Sequence, residues 1–199
     1  SVLATSENYT ISAGTVYVLA SGVLSGAVAQ GPDLSVSGAP NLGADIEIES
    51  GGLAIGDVIA PSQAGSQMID GENVHSGGIA SNTTIMSFAG SSTIYAGGLS
   101  KDLTISAGYA AVYGEVAGAD VHGGGSLVLE AGGKISDARI ESGGFLVVES
   151  GALGTTATAL SDIALDLAGS IDLVGLGPAH WFPGHPVDRG RAVWDAAPG

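Results

Sequence analysis

The amino-acid sequence predicts an all-β solenoid, a parallel β-helix with about 20 residues per rung. One observation is a recurring phrase, in which a branched apolar residue is followed by a polar or acidic residue, a small residue and one or two glycines, with Val112-Tyr113-Gly114 as a weaker copy. Its copies are Ile48-Glu49-Ser50-Gly51-Gly52, Val74-His75-Ser76-Gly77-Gly78, Ile94-Tyr95-Ala96-Gly97-Gly98, Val112-Tyr113-Gly114, Leu129-Glu130-Ala131-Gly132-Gly133 and Val148-Glu149-Ser150-Gly151. Their first residues are 26, 20, 18, 17 and 19 residues apart. Self-similarity near 20 residues is typical of repeat architectures whose units cannot fold alone.

A second phrase alternates with the first. Its copies include Thr10-Ile11-Ser12-Ala13-Gly14, Thr84-Ile85-Met86, Thr104-Ile105-Ser106-Ala107-Gly108, Asp120-Val121-His122-Gly123-Gly124 and Arg139-Ile140-Glu141-Ser142-Gly143-Gly144. Apolar and polar residues alternate with a period of two in both phrases, which indicates strands and not helices. The sequence therefore predicts two short strands per repeat, each ended by a glycine turn.

Stacking these repeats predicts continuous apolar ladders inside a rod. At about 4.8 Å per rung, seven to nine rungs give a rod of roughly 35–45 Å. The common phase of the first phrase predicts one inward ladder of apolar residues, formed by Ile48, Val74, Ile94, Val112, Leu129 and Val148.

The β-helix is predicted to span residues 1–176, with 1–30 as its first coils and 160–176 as a closing coil. The segments 31–43 and 60–72 break the period and are rich in Pro, Gly, Ser and Asp, so we predict loop excursions there. Residues 177–199 lack the repeat and contain both tryptophans, Trp181 and Trp194. This tail is interpreted as a cap on the open end of the rod, a linker or a non-native addition.

Composition excludes several classes of function. The chain has 20 acidic residues against five Lys and Arg, a net charge of −15. Such a balance argues against binding to nucleic acid or to anionic membrane surfaces, and it favours solubility. Cysteine is absent, so no disulfide stabilises the rod. No apolar run is long enough to predict a membrane span.

The punctuation by Gly-Gly resembles that of a known family, the passenger domains of autotransporter adhesins of the antigen 43 and AIDA type. The stretches that carry the resemblance are Ser76-Gly77-Gly78-Ile79-Ala80-Ser81-Asn82-Thr83-Thr84, Ala131-Gly132-Gly133-Lys134-Ile135-Ser136-Asp137-Ala138 and Glu141-Ser142-Gly143-Gly144. The resemblance covers about residues 45–155 well and lies in the order of residue types within each repeat. It implies a right-handed, single-stranded, three-sided parallel β-helix on the surface of a Gram-negative bacterium, used for aggregation, biofilm formation or host adhesion. It also implies that Ser and Thr on the turns can carry O-linked sugars.

Two groups of residues are candidate binding sites. Asp45, Glu47 and Glu49 alternate on one strand and share a face, where carboxylates can bind Ca²⁺, hydrolyse a glycosidic bond or simply be solvated. Tyr95 and Tyr113 occupy equivalent outward positions one rung apart, where stacked aromatic rings either bind a sugar or a partner rod, or form a ladder that supports the stack. The solvated face and the supporting ladder are the favoured interpretations.

No catalytic or metal site is predicted. His180 and His185, with Asp188, have a loosely metal-like spacing in a proline-rich segment without cysteine. His75 and His122 are predicted to point outward singly, and no nucleophile motif accompanies them.

The sequence thus predicts a non-enzymatic adhesive or self-associating rod, a fragment of a larger exported protein, without a cofactor. Its expected partners are a second copy of itself or cell-surface glycans and proteins. A structural stalk that presents another module is the alternative, and a polysaccharide-active β-helix enzyme is a third interpretation. The few cations on the rod disfavour an enzyme for acidic polymers.

Overall fold

A computed structural model describes residues 5–31, 43–61, 70–154, 157–159, 164–167, 173–174 and 180–181. All regular elements in these ranges are β-strands, and each strand pair is parallel. The prediction of a parallel β-helix is therefore confirmed. The right-handed winding stays a prediction.

Three strips of sheet run along the rod as its faces. Face 1 contains β1 (Thr5–Glu7), β4 (Val23–Ser25), β7 (Leu53–Ile55), β10 (Ile79–Ser81), the first halves of β13 (Leu99–Ile105), β15 (Glu115–Val121) and β17 (Lys134–Ile140), and β19 (Leu153–Gly154). Face 2 contains β2 (Thr10–Ile11), β5 (Val28–Ala29), β8 (Val58–Ile59), β11 (Thr84–Ile85), the second halves of β13, β15 and β17, then β20 (Ala157–Ala159) and β22 (Leu173–Val174). Face 3 contains β3 (Gly14–Val18), β6 (Ala44–Ile48), β9 (Asp70–Val74), β12 (Gly90–Ile94), β14 (Gly108–Val112), β16 (Gly125–Leu129), β18 (Phe145–Val148), β21 (Ala164–Leu167) and β23 (His180–Trp181).

Each rung has three strands, whereas the two sequence phrases predicted two. The first phrase corresponds to face 3 and the second to face 2. The strands of face 1 were missed because they are short and have a single inward residue, such as Ala80 between the outward Ile79 and Ser81. A run of three residues is too short for its alternation to stand out. The described strands form eight three-sided rungs and part of a ninth, within the predicted range.

The predicted inward ladder is confirmed on face 3. Ile48, Val74, Ile94, Val112, Leu129 and Val148 are register partners in successive rungs. All six side chains are fully buried. Burying apolar surface rung upon rung supplies the main stabilisation of the rod.

The rod has three corners, and the first, second and third corners are those between faces 3 and 1, faces 1 and 2, and faces 2 and 3. The second corner is made by a single residue in the left-handed conformation. This residue is Asn8, Gly26, Gly56, Asn82, Asp102, Gly118 and Asp137 in successive rungs, with φ between 51° and 82°. Gly, Asn and Asp tolerate this region better than other residues do. A single residue is thus enough to turn the chain. In the longer strands β13, β15 and β17 the strand continues through this corner from face 1 to face 2.

Both segments predicted as loop excursions lie along the chain between a strand of face 2 and the next strand of face 3, at the third corner. Residues 32–42 and 62–69 lie outside the described part of the chain. The predicted boundary at residue 72 is too late, because β9 begins at Asp70. Asp70 ties the first excursion to the rod, since its carboxylate accepts hydrogen bonds of 2.9 Å from both Gly31 N–H and Ala44 N–H.

The stack continues past residue 176, the predicted end of the β-helix. His180 and Trp181 form β23, which pairs with Ala164 and Leu165 of β21. The rest of the predicted tail, including Trp194, His185 and Asp188, lies outside the described residues.

Candidate functional site

An aromatic row runs along the first corner of the rod, where each rung leaves face 3. It consists of His75, Tyr95 and Tyr113, whose backbone N–H groups bond to the last residues of the preceding strands of face 3. The rings of His75 and Tyr95 are stacked with centroids 5.0 Å apart, and those of Tyr95 and Tyr113 with centroids 6.5 Å apart. Tyr95 and Tyr113 each keep 41% of their surface exposed.

The stacking decides which ring faces a ligand could reach. Tyr95 has a ring on each side, that of His75 at 5.0 Å and that of Tyr113 at 6.5 Å between centroids, so both its faces are partly obstructed and its edge and hydroxyl remain for contacts. Tyr113 ends the row, because Glu130 holds the equivalent position in the next rung. Its far face is therefore the one aromatic face in the row of tyrosines that no neighbouring ring covers. The supporting-ladder interpretation fits Tyr95, and a contact surface fits Tyr113.

Glu47 anchors the lower end of the aromatic row. Its Oε2 lies 2.6 Å from His75 Nε2, and its Oε1 accepts a 2.9 Å hydrogen bond from Asn73 Nδ2. Asn73 is the register partner of Glu47 in the next rung, whereas His75 lies just beyond the end of that strand. Both carboxylate oxygens are thus engaged by protein groups, and the side chain positions the ring of His75.

The predicted acidic face is real, although its members differ in role. Asp45 and Glu47 point outward from β6, and Glu49 follows the strand with its side chain partly exposed. Burial raises the pKa of Asp45, with smaller contributions from the charges of Glu47 and Asp70. Glu47 is bound to Asn73 and His75, and among the described residues these three carboxylates are not grouped so that they could hold a metal ion.

An aliphatic row lies on the other side of the first corner. Val23, Leu53, Ile79 and Leu99 are register partners that point outward from face 1 and are half-buried. Between the aromatic and aliphatic rows lies a ridge of Gly-Gly turns, among them Gly77-Gly78 and Gly97-Gly98. We call the two rows and the ridge the first-corner flank. It has no Asp, Glu, Lys or Arg from His75 to Ile79 or from Tyr95 to Leu99.

His122 is the second histidine of the rod, and it also has an acidic partner. His122 Nδ1 lies 2.6 Å from Glu141 Oε2, and Arg139 Nη1 lies 3.0 Å from Glu141 Oε1. These side chains are partly exposed, so the pairs contribute little to stability. The sequence predicted that His75 and His122 stand singly, and the structure differs from this prediction. Each is held by a glutamate.

The interior of the rod contains a polar cluster that the sequence analysis did not predict. Asp57, Glu72, Thr83, Ser92 and Ser100 are fully buried among apolar side chains. Glu72 accepts from Thr83 Oγ1 at 3.1 Å and lies 3.5 Å from Ser92 Oγ, while Asp57 Oδ1 accepts from Ala27 N–H at 2.9 Å. Asp57 Oδ2 and Ser100 Oγ have no hydrogen-bond partner among the described residues.

Burial governs the protonation of both interior acids. It raises the pKa of Asp57 to about 7, against the lowering effect of the Ala27 N–H. It also raises the pKa of Glu72 to about 8, helped by the charge of Asp57 and opposed by the hydroxyls of Thr83 and Ser92. Removing a carboxylate from water disfavours its charged form. Near pH 7 the pair thus holds at least part of its protons.

Two signals in the sequence could have identified these residues. His75 occupies the same place in the first phrase as Tyr95 and Tyr113, so it belonged to their row. Glu72 is two residues before the inward Val74, so the strand period places it inside. Because Glu72 was assigned to the predicted loop 60–72, its inward position on the strand was not recognised.

Among the residues that the structure describes, no three His, Cys, Asp or Glu side chains are grouped so that they could hold a metal ion. No helix in that part of the chain is long and apolar enough to cross a membrane. His180 is described in its backbone, while His185 and Asp188 of the loosely metal-like set lie outside the described residues.

No known protein family and no curated protein sequence matches the chain. Among solved structures, the chain is similar to the TibC-catalysed, hyper-glycosylated TibA55-350 fragment, with a TM-score of 0.65 and 22% sequence identity. The similarity covers 84% of this chain and 61% of that fragment, so the chain spans less than two thirds of the length of its structural neighbour. At this identity the likeness shows a common β-helix fold.

Proposed function

We propose that the chain is an adhesive rod on the surface of a Gram-negative bacterium, which associates with other copies of itself or with cell-surface glycans. The first-corner flank is the observation that carries this proposal. It combines stacked aromatic rings with half-buried aliphatic side chains, and its two central turns, His75 to Ile79 and Tyr95 to Leu99, contain no Asp, Glu, Lys or Arg on a chain whose net charge is −15. Tyr and apolar residues without Lys or Asp are typical of contact surfaces.

The pattern of the repeats and the structural similarity to the TibA fragment support this proposal. Gly-Gly punctuation resembles that of autotransporter passenger domains, and the structurally similar TibA fragment is hyper-glycosylated. A solenoid offers long flanks on which weak contacts repeat at each rung. Adhesion along such a flank needs no deep pocket and no catalytic group.

Display of the rod on non-adherent bacteria tests the proposal. Cells that carry the wild-type rod should aggregate with each other or attach to glycan-coated surfaces. Tyr95→Ser combined with Leu99→Ser places hydroxyls on both rows of the flank and should reduce attachment at least about tenfold, since it removes two contacts at the centre of the strip.

Tyr9→Ser is the matched control. Tyr9 is 50% exposed between β1 and β2 and lies outside the first-corner flank, so this change should leave attachment unaltered. Wild-type cells that neither aggregate nor attach would contradict the adhesive function and favour the stalk. Equal attachment by the flank variant and the control would contradict the role of the flank.

A further inference from the structure

The first corner is interrupted at one rung. From Leu99 of β13 to its register partner Glu115 of β15 the chain advances 16 residues, against 20 from Ile79 to Leu99 and 19 from Glu115 to Lys134. Part of this shortening lies in the turn at the first corner. Tyr95-Ala96-Gly97-Gly98-Leu99 has three residues between its ends, whereas Tyr113-Gly114-Glu115 has one. Two residues of the Gly-Gly turn are thus missing from this rung.

The missing turn breaks a ladder of backbone hydrogen bonds. In the lower rungs Ser21 N–H donates to Gly51 C=O, Gly51 N–H to Gly77 C=O, and Gly77 N–H to Gly97 C=O. In the upper rungs Gly132 N–H donates to Gly151 C=O. Among the described residues nothing accepts from Gly97 N–H and nothing donates to Gly132 C=O. One donor and one acceptor therefore face each other across the place of the absent turn.

The space around the glycines confirms the gap. A methyl group built at Gly77 would lie 2.6 Å from Ser50 Oγ of the turn below, and one built at Gly97 would lie 2.5 Å from Ser76 Oγ. One built at Gly132 would have nothing within 4 Å. The rung beneath Gly132 thus leaves open the volume that a turn fills elsewhere.

The opening is a notch of about 250 Å³ lined by Gly97, Leu99, Tyr113, Glu115, Gly132 and Lys134. It lies beside Tyr113, the last ring of the aromatic row. The carboxylate of Glu115 and the ammonium of Lys134 are both exposed, and their residues are register partners on neighbouring strands. The notch therefore combines an aromatic ring, two charged side chains and two free backbone groups.

We propose that this notch binds the acetamido group and ring of an N-acetylated amino sugar. Turns in successive rungs are about 4.8 Å apart, so the gap between Gly97 and Gly132 has room for one hydrogen-bonded layer. An amide has one N–H and one C=O that point in opposite directions, as a backbone peptide does. The acetamido C=O would accept from Gly97 N–H while its N–H donates to Gly132 C=O, which restores the ladder.

The surroundings of the gap favour a sugar over a peptide. The gap is one layer high and two residues long, so it holds a single amide and not an extended chain. The uncovered face of Tyr113 suits the C–H groups of a pyranose ring, and the charged ends of Glu115 and Lys134 can bind its hydroxyls. This inference deepens the proposed function, on which it rests, by naming a class of cell-surface glycan.

Titration of the isotopically labelled rod with N-acetylglucosamine, followed by NMR, tests the site. The backbone amide of Gly97 should shift, with a dissociation constant on the order of 1 mM, as for a small exposed site. Glucose, which lacks the amide, and N-methylacetamide, which lacks the ring, should each bind at least about tenfold more weakly. Tyr113→Ala should weaken binding of the sugar, whereas Tyr9→Ala, at an exposed tyrosine of the first rung, should not.

Insertion of Ala-Gly between Tyr113 and Gly114 restores the sequence of the preceding turn. This variant should melt no lower than the wild type, because the backbone ladder closes, and it should lose the sugar response at Gly97. Unchanged binding by the insertion variant, or no shift at Gly97 up to about 20 mM sugar, would overturn the site. Binding of N-methylacetamide as tight as that of the sugar would overturn the sugar class. Either result leaves the proposed adhesion intact, since that is measured on whole cells with the Tyr95 and Leu99 variant.

Discussion

Thr83 donates its hydroxyl proton to the carboxyl group of Glu72 across the interior of the rod, over 3.1 Å from Oγ1 to Oε2. Thr83 turns inward at the second corner, and Glu72 points inward from the opposite face 3. The contact thus joins two rungs and two sides of the β-helix. It places an ionisable group at an inward position that the rung below fills with Ile46 and the rung above with Ser92.

The stability of the rod should therefore fall as the pH rises. The pKa of Asp57 is raised to about 7 and that of Glu72 to about 8 in the folded state, above the values near 4 of the unfolded chain. The folded rod holds protons that the unfolded chain has released, so this contribution to stability is complete below about pH 4 and is lost as the pH rises through 7 and 8. Thermal melting from pH 5 to 9 should show a declining melting temperature.

Glu72→Gln tests the source of that decline. Glutamine keeps an acceptor for Thr83 but cannot ionise, so the variant should melt above the wild type at about pH 8.5 and lose most of this advantage by about pH 5. Glu149→Gln makes the same change at an exposed carboxylate and should not alter the pH dependence. A wild-type melting temperature that rises from pH 5 to 8 would refute the assignment.

Asp70→Ala should loosen both ends of the first excursion. The change removes the acceptors of the buried Gly31 and Ala44 N–H groups, and each unsatisfied donor costs about 1–3 kcal/mol. Amide hydrogen exchange at these two residues should accelerate more than exchange at Leu129, which lies three strands away along face 3. Asp70→Asn keeps one acceptor and should show a smaller effect. If Asp70→Ala leaves the exchange rates of the Gly31 and Ala44 amides unaltered, the hydrogen bonds to Asp70 do not hold these two segments in place.

Val112→Asp should destabilise the rod by several kcal/mol, because it buries an unpaired carboxylate in the face 3 ladder. Thr93→Asp is the control, since Thr93 points outward from the neighbouring strand β12 and is half-buried. Denaturant unfolding compares the free energies of unfolding of the two variants. If Val112→Asp unfolds within about 0.5 kcal/mol of the wild type, the register of the ladder is wrong.

Association between rods should strengthen from low to moderate salt. At a net charge of −15 two rods repel each other, and at 0.15 M ionic strength the screening length falls to about 8 Å. Light scattering at high protein concentration, across a series of NaCl concentrations, measures this dependence. Association that weakens steadily with salt would point to ion pairs in place of the uncharged flank. A monomeric rod at every salt concentration would exclude rod-to-rod contact and leave surface glycans as the partner.

The repeat, the strand period and the inward ladder of face 3 could all be predicted from the amino-acid sequence. This was possible because each rung repeats the same local pattern, so that the phase of Val74 or Ile94 is visible without knowledge of its neighbours. Face 1 was not predictable in this way, because its strands are short and the chain passes from face 1 to face 2 through one residue such as Asp102.

The contacts between rungs, in contrast, became visible only once the rungs were stacked. The ring of His75 meets that of Tyr95, Glu72 meets Thr83, and Gly97 faces Gly132 across a gap, although each pair is separated by 11 to 35 residues along the chain. These contacts depend on which residues the stacking brings into register, and the loop lengths and the two-residue deletion at Tyr113-Gly114 shift that register from rung to rung. The repeated pattern therefore specifies a rung, while the stacking of unequal rungs creates the flank, the buried acids and the notch.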